Sequence, residues 1–229
     1  TGPKYSDIIF SPPSKSVHDK ELVRDGVSYL NEKVDIAFEK LSDLQVMSRA
    51  FPGKLAVDTI SKTFIKEILI NEQTDPDAIL NRAKTDEEKR RVAEIVLIRY
   101  ALNGDKAFRY TVSSTNALGM AQIMASTYSN PKLRYRDGMI QLYPGANLIK
   151  DINLGRVDPI NSIMAEILVL DDKIAQVKNR VYGSGSRAIQ VFEGLTEDQL
   201  NEVRAMGYNG GAGKYNLSTG GLNTRAVGA

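Results

Sequence analysis

Cysteine is absent from this chain of 229 residues, and histidine occurs once, as His18. The first absence excludes disulfides, cysteine-ligated zinc and a thiol nucleophile. The second excludes a histidine-rich metal site. Any Ser-His-Asp triad would have to use His18, which lies in a polar N-terminal run and reads as solvated surface. No apolar run approaches the ~20 residues that cross a bilayer, and the opening "TGPKYS" has no signal-like apolar core. The expectation is therefore no stable membrane insertion. Charge of one sign is not in excess either: 30 Lys plus Arg stand against 28 Asp plus Glu, a net +2. Proteins that bind duplex nucleic acid carry a basic face or stripe, so nucleic acid is not the expected partner. A polymer held mainly by neutral hydrogen bonds remains compatible. Strand signals are weak, and no repeat of fixed period occurs.

What the chain does have is ordinary globular composition, 42% hydrophobic and 25% charged, at a length that suits one core or a core with a small accessory lobe. Residues 1–16 hold three prolines and read as an extended lead-in. Val23, Val27, Leu30, Val34, Phe38, Leu41 and Leu44 then recur three or four apart, which predicts a long amphipathic helix over 17–50. "FPG" at 51–53 ends it. A second helix is predicted over 58–73 with Asp58 as N-cap, broken by "TDPDA". A third, over 86–102, opens with Thr85 and Glu88 at capping-box spacing and closes at Asn103-Gly104. "KAFRYTVSS" reads as extended, and "NALGMAQIMASTY" as helical from Leu118. Residues 129–157 read as irregular. Pro159 sits at the favoured first position of a further helix, "YGSGSR" reads as a linker, and Thr196 with Gln199 opens a last helix. The expected organisation is mainly α: lead-in and long helix over 1–53, one globular domain over 54–216, and a flexible tail over 217–229.

The last helix leads into "RAMGYNGGAGKY", residues 204–215. A phosphate loop needs G-x-x-x-x-G-K-[ST] after a strand. Tyr208 occupies the place of its first glycine, Tyr215 replaces the hydroxyl residue, and the preceding run is helical. A glycine turn at a helix C-terminus is the simple alternative. Upstream, "FIKEILINEQTDP" carries two acids. At about 100° per residue, Glu72 projects beside Ile65, Ile68 and Leu69, whereas Glu67 lies about 140° away. A carboxyl group among apolar side chains resists ionisation, as a general acid working near neutral pH requires. Between these stretches lies "SSTNALGMAQIM", residues 113–124. It combines Ser113, a Gly119 that lets a chain or ligand approach the backbone, Met120, and Gln122, an amide with both donor and acceptor groups.

Taken in order, Glu72-Gln73, "SSTNALGMAQIMAST", "DPINSIMAEI" and "GYNGGAGKY" resemble the lytic transglycosylases, lysozyme-like enzymes that cut peptidoglycan. Their pattern is Glu-Ser at a helix end, S-x-x-G-A-x-G-L-M-Q-x-M-P-x-T, a D-P-x-x-N-I helix and A-Y-N-A-G-x-G. The resemblance spans about residues 57–215. It implies a lysozyme-like fold with an N-terminal helical extension, and Glu72 as the single catalytic acid, with Glu67 as fallback. Ser113 would orient that acid or the sugar, Gly119, Met120 and Gln122 would floor a saccharide cleft, and Tyr208 with Asn209 would wall it. Departures are Gln73 for serine, Asn116 for glycine, Met120-Ala121 for Leu-Met, Ala125 for proline and Gly210-Gly211 for Ala-Gly. The gap from Glu72 to Gly119 is longer by an inserted helix, Thr85–Gly104.

The resemblance further implies glycan strands as partner, no metal or organic cofactor, export to the periplasm or cell wall, and cleavage between N-acetylmuramic acid and N-acetylglucosamine to anhydro-muramyl products. Two other readings stay open. One is a non-catalytic module that binds peptidoglycan or a protein partner, the seam of the first helix suiting a partner as well as its own core. The other is a hydrolytic muramidase, whose second acid would be Asp75, Asp77 or Glu166.

Overall fold

The computed structural model describes residues 9–10, 18–130, 137–182, 192–210, 215–216 and 221–222. The predicted linker at 182–187 beyond Tyr182, the glycines at 211 and 213, and most of the predicted tail lie outside the described residues. Within the described residues the chain is mainly helical. The helices are α1 (Lys20–Asp43), α2 (Lys62–Glu72), α3 (Asp86–Asn103), α4 (Ala125–Tyr128), α5 (Met139–Leu142), α6 (Ile152–Val157), α7 (Pro159–Tyr182) and α8 (Glu197–Gly210). Two short antiparallel pairs accompany them: β1 (Ala117–Leu118) with β2 (Ile123–Met124), and β3 (Tyr215–Asn216) with β4 (Gly221–Leu222).

Local signals explain many of the boundaries. The capping box of α3 forms as its spacing predicts: Glu88 N donates to Thr85 Oγ1, and the Glu88 carboxylate accepts from Thr85 N. The Thr196–Gln199 pair opens α8 in the same reciprocal way, and Pro159 starts α7. Several expectations are overturned. Residues 129–157, which read as irregular, carry α5 and α6, the latter capped by Asp151. α1 ends at Asp43, because the chain turns there and Met47 bridges to Leu55. Asp58 lies in a short 3-10 turn, and Ser61 caps α2 by accepting from Phe64 N. In "KAFRYTVSS", residues 106–114, the first half turns through residue 110, and only Val112 pairs in extended fashion, with Leu118. Residues 118–124 form a hairpin and not a helix, because Asn116, Gly119 and Gln122 all adopt positive φ (63°, 79° and 46°). Positive φ interrupts the right-handed helix that the apolar spacing suggested.

The described residues form two compact units, each drawn from separated stretches. The first takes Thr1–Ala37, Lys66–Ala125 and Ile149–Ile163. In it α1 lies on α3. A Cβ at Gly26 would sit 2.0 Å from Leu97 O, so only glycine permits that crossing. Tyr29 stacks on Tyr100 with ring centres 5.6 Å apart, and Tyr100 meets Phe108 edge-on at 5.0 Å. His18, expected as solvated surface, is exposed and pairs there with Glu94 of α3.

The second unit takes Phe38–Ile65, Ser126–Leu148 and Met164–Ala229. Its core gathers Ala50, Phe51, Ile174, Ala175, Val177, Phe192 and Val203. Asp171, buried in this unit on α7, accepts from Ser48 Oγ (2.5 Å), Arg49 N (2.7 Å) and Tyr143 Oη (2.7 Å). Burial, reinforced by that carboxylate, pushes the Tyr143 phenol far up, so it stays a neutral donor.

Candidate functional site

Glu72 is the last residue of α2. The stripe on its own side of the helix is buried, with Ile65 and Leu69 at 0% exposure and Ile68 at 8%. The carboxyl group is half-buried, and burial alone pushes its pKa from 4.5 up to about 7. Glu67, on the other side of the helix, is exposed.

The main chain tightens as the helix ends: Gln73 N donates to Ile70 O and Thr74 N to Asn71 O. The Gln73 side chain, buried, then leaves the helix for the hairpin. Its Nε2 donates to both Gly119 O and Met120 O, each at 2.9 Å. The residue beside the acid thus ties the end of α2 to the β1–β2 turn. Sequence reasoning treated Gln73 only as a replacement for serine. Its position next to the acid was the available signal.

The hairpin itself is short, and side chains hold it. Gln122 Nε2 donates to Gly119 O (2.7 Å) and Thr111 O (3.2 Å), so the donor half of this amide is committed to the protein main chain. From the other side Arg156 of α6, buried, donates through Nη1 to Asn116 O (3.0 Å) and Ile123 O (3.1 Å). Nothing in the sequence singled Arg156 out. Gly119 does serve a close approach, and the approaching group is protein backbone: an added Cβ would lie 2.1 Å from Arg156 O. Met120 is buried at 3% exposure. Ser113 Oγ accepts from Ala117 N (3.0 Å) and Thr115 N (3.3 Å), which orders the turn leading into β1.

Of the residues singled out in sequence, Glu72, Ser113, Gly119, Met120 and Gln122 belong to the first unit, and the Gln73 bonds bring the Glu72 helix end onto the Gly119–Met120 turn. Tyr208 is half-buried on α8 in the second unit, and the Asn209 side chain lies outside the described residues. The candidate second acids differ from Glu72. Asp75 and Asp77 both pair with Arg82, and Glu166 is fully buried on α7. Among the described residues no group of three His, Cys, Asp or Glu could hold a metal ion, and no helix is long and apolar enough to cross a membrane.

One acid with a pKa near neutrality, set against a turn of buried and hydrogen-bonded backbone, can give a proton to a leaving oxygen and take one back. In comparisons with known proteins, no family model, no curated protein and no solved structure matches the chain.

Proposed function

We propose that the chain is a peptidoglycan lytic transglycosylase that uses Glu72 as its only acid and base, on a lysozyme-like fold. The observation that carries this reading is Glu72 itself: half-buried, its pKa raised to about 7, at a helix end bonded through Gln73 to the Gly119–Met120 turn. The motif order described above adds to it. Protonated Glu72 donates to the glycosidic oxygen between N-acetylmuramic acid and N-acetylglucosamine, and that bond breaks. The substrate's own acetamido group supports the cationic sugar centre, as in substrate-assisted glycosidases. The Glu72 carboxylate then accepts the proton of the muramyl primary hydroxyl, whose oxygen closes on the anomeric carbon. The product is the anhydro sugar, and the acid is regenerated without water.

A hydrolytic muramidase needs a second carboxylate at the bond. The pairing of Asp75 and Asp77 with Arg82 and the full burial of Glu166 favour the single-acid route. Mass spectrometry of digested sacculi separates the readings. Anhydro-ended fragments are the expected product, reducing ends would indicate the hydrolase, and no release would indicate a binding module. Glu72→Gln should abolish clearing with its circular dichroism unchanged. Clearing that survives in Glu72→Gln and disappears in Glu67→Gln would move the assignment to Glu67.

A further inference from the structure

We infer that Gln73 is the positioning residue of this site, a clamp that fixes the Glu72 carboxyl group by fastening the last turn of α2 to the β1–β2 turn. For the reaction itself the inference rests on the function proposed above; for the state of Glu72 it stands without it.

Glu72 is the final helical residue. Helix ends leave backbone groups without intrahelical partners and fray. A side chain at such a place takes a defined direction only if something beyond the helix holds it. Here the buried Gln73 amide bonds α2's end into the hairpin through Nε2, at Gly119 O and Met120 O. Their receiving end is fixed in turn. Gly119 O also accepts from Gln122 Nε2, Gly119 N donates to Thr111 O, and Gly119 packs on the backbone of Arg156. The clamp therefore closes on a turn that is itself hydrogen-bonded and packed. An amide suits the task, because one NH2 group carries two hydrogens and can serve two adjacent carbonyls. The serine of the related pattern has a shorter side chain and one hydroxyl hydrogen, so it could not span both.

If the clamp opens, the last turn of α2 loosens and water reaches Glu72. Its proton affinity then falls toward that of an ordinary carboxyl group, because burial alone raises it. A general acid must be held within a fraction of an ångström of its target, so the chemical step suffers more than binding does.

The test is Gln73→Ala, with Gln73→Leu as a second variant that keeps side-chain volume and drops the donor. The Glu72 carboxyl titration, followed by carbon-detected NMR on the whole chain, should move down by about one pH unit or more in either variant that remains folded by circular dichroism. On purified sacculi kcat should fall by roughly 10- to 100-fold with KM little changed. A fall in melting temperature with the Glu72 titration unmoved would show a merely structural contact and overturn the inference. An unmoved kcat in a clearing-active protein would do the same. If the unaltered chain releases nothing from sacculi, the proposed function fails, and the titration still decides the clamp.

Discussion

Glu72 links the fold to pH through an unfavourable burial. The folded chain holds this proton up to about pH 7, whereas an ordinary carboxyl group releases it near 4.5. The folded state therefore binds more protons between those values, and stability falls as pH rises through the window. The penalty is absent below pH 4.5 and complete above pH 7. It amounts to about 1–3 kcal/mol once the partial exposure of the group is allowed for. In urea unfolding, Glu72→Gln should gain about that much relative to the unaltered protein between pH 4.5 and pH 8. A difference that stays constant across those pH values would mean that the carboxyl group is solvated. Activity moves the same way. In the proposed reaction the acid must start protonated, so the rate of anhydro-product release should also drop as pH rises above 7.

At the scale of the elements, the close approaches are made by backbone, and glycine marks them. Gly26→Ala forces a methyl group into Leu97 O at 2.0 Å where α1 meets α3. Gly119→Ala does the same to Arg156 O at 2.1 Å and adds the strain of a φ of 79°. Each should cost roughly 3 kcal/mol or more by chemical denaturation. Gly145 has nothing within 4 Å of its would-be Cβ, so Gly145→Ala should stay within about 0.5 kcal/mol of neutral. An equal loss in all three would show that crowding at the would-be Cβ is not the cause, since the chain-entropy effect of Gly→Ala favours the folded state. The caps were legible in sequence because their bonds span three residues: Thr85→Ala should cost α3 about 1 kcal/mol in thermal unfolding. The hairpin was not legible. Leu118, Ala121 and Ala125 have helical spacing, and what overrides it is the left-handed backbone at three positions, two of which are not glycine.

At the scale of the whole molecule, buried polar groups join stretches far apart in sequence. Asp171 accepts from Ser48, Arg49 and Tyr143, across separations of 123, 122 and 28 residues. Removing the carboxylate strands two buried hydroxyl donors and an amide. Asp171→Ala should therefore cost about 3–5 kcal/mol, and Asp171→Asn, which keeps an acceptor, noticeably less. Urea midpoints of the two variants check the order, and equal losses would show that charge and not hydrogen bonding holds the cluster. Arg204 follows the same logic. It is fully buried, donates to Asn201 Oδ1 and Thr59 O, and burial lowers its pKa to about 10.

The sequence by itself determined the helical class, the caps at Thr85 and Thr196, the start of α7 at Pro159, and the placing of Glu72 on the apolar side of its helix. Each of these follows from residues within a turn or two of one another, where hydrogen-bond reach and helical periodicity dictate the outcome. Only the tertiary structure decided that Gln73 would reach Gly119 and Met120, 46 and 47 residues away, that Arg156 would brace the same hairpin, and that His18 would find Glu94. A polar side chain in a sequence has many partners within its chemistry, and burial selects among them only when the chain has brought distant carbonyls and carboxylates within about 3 Å.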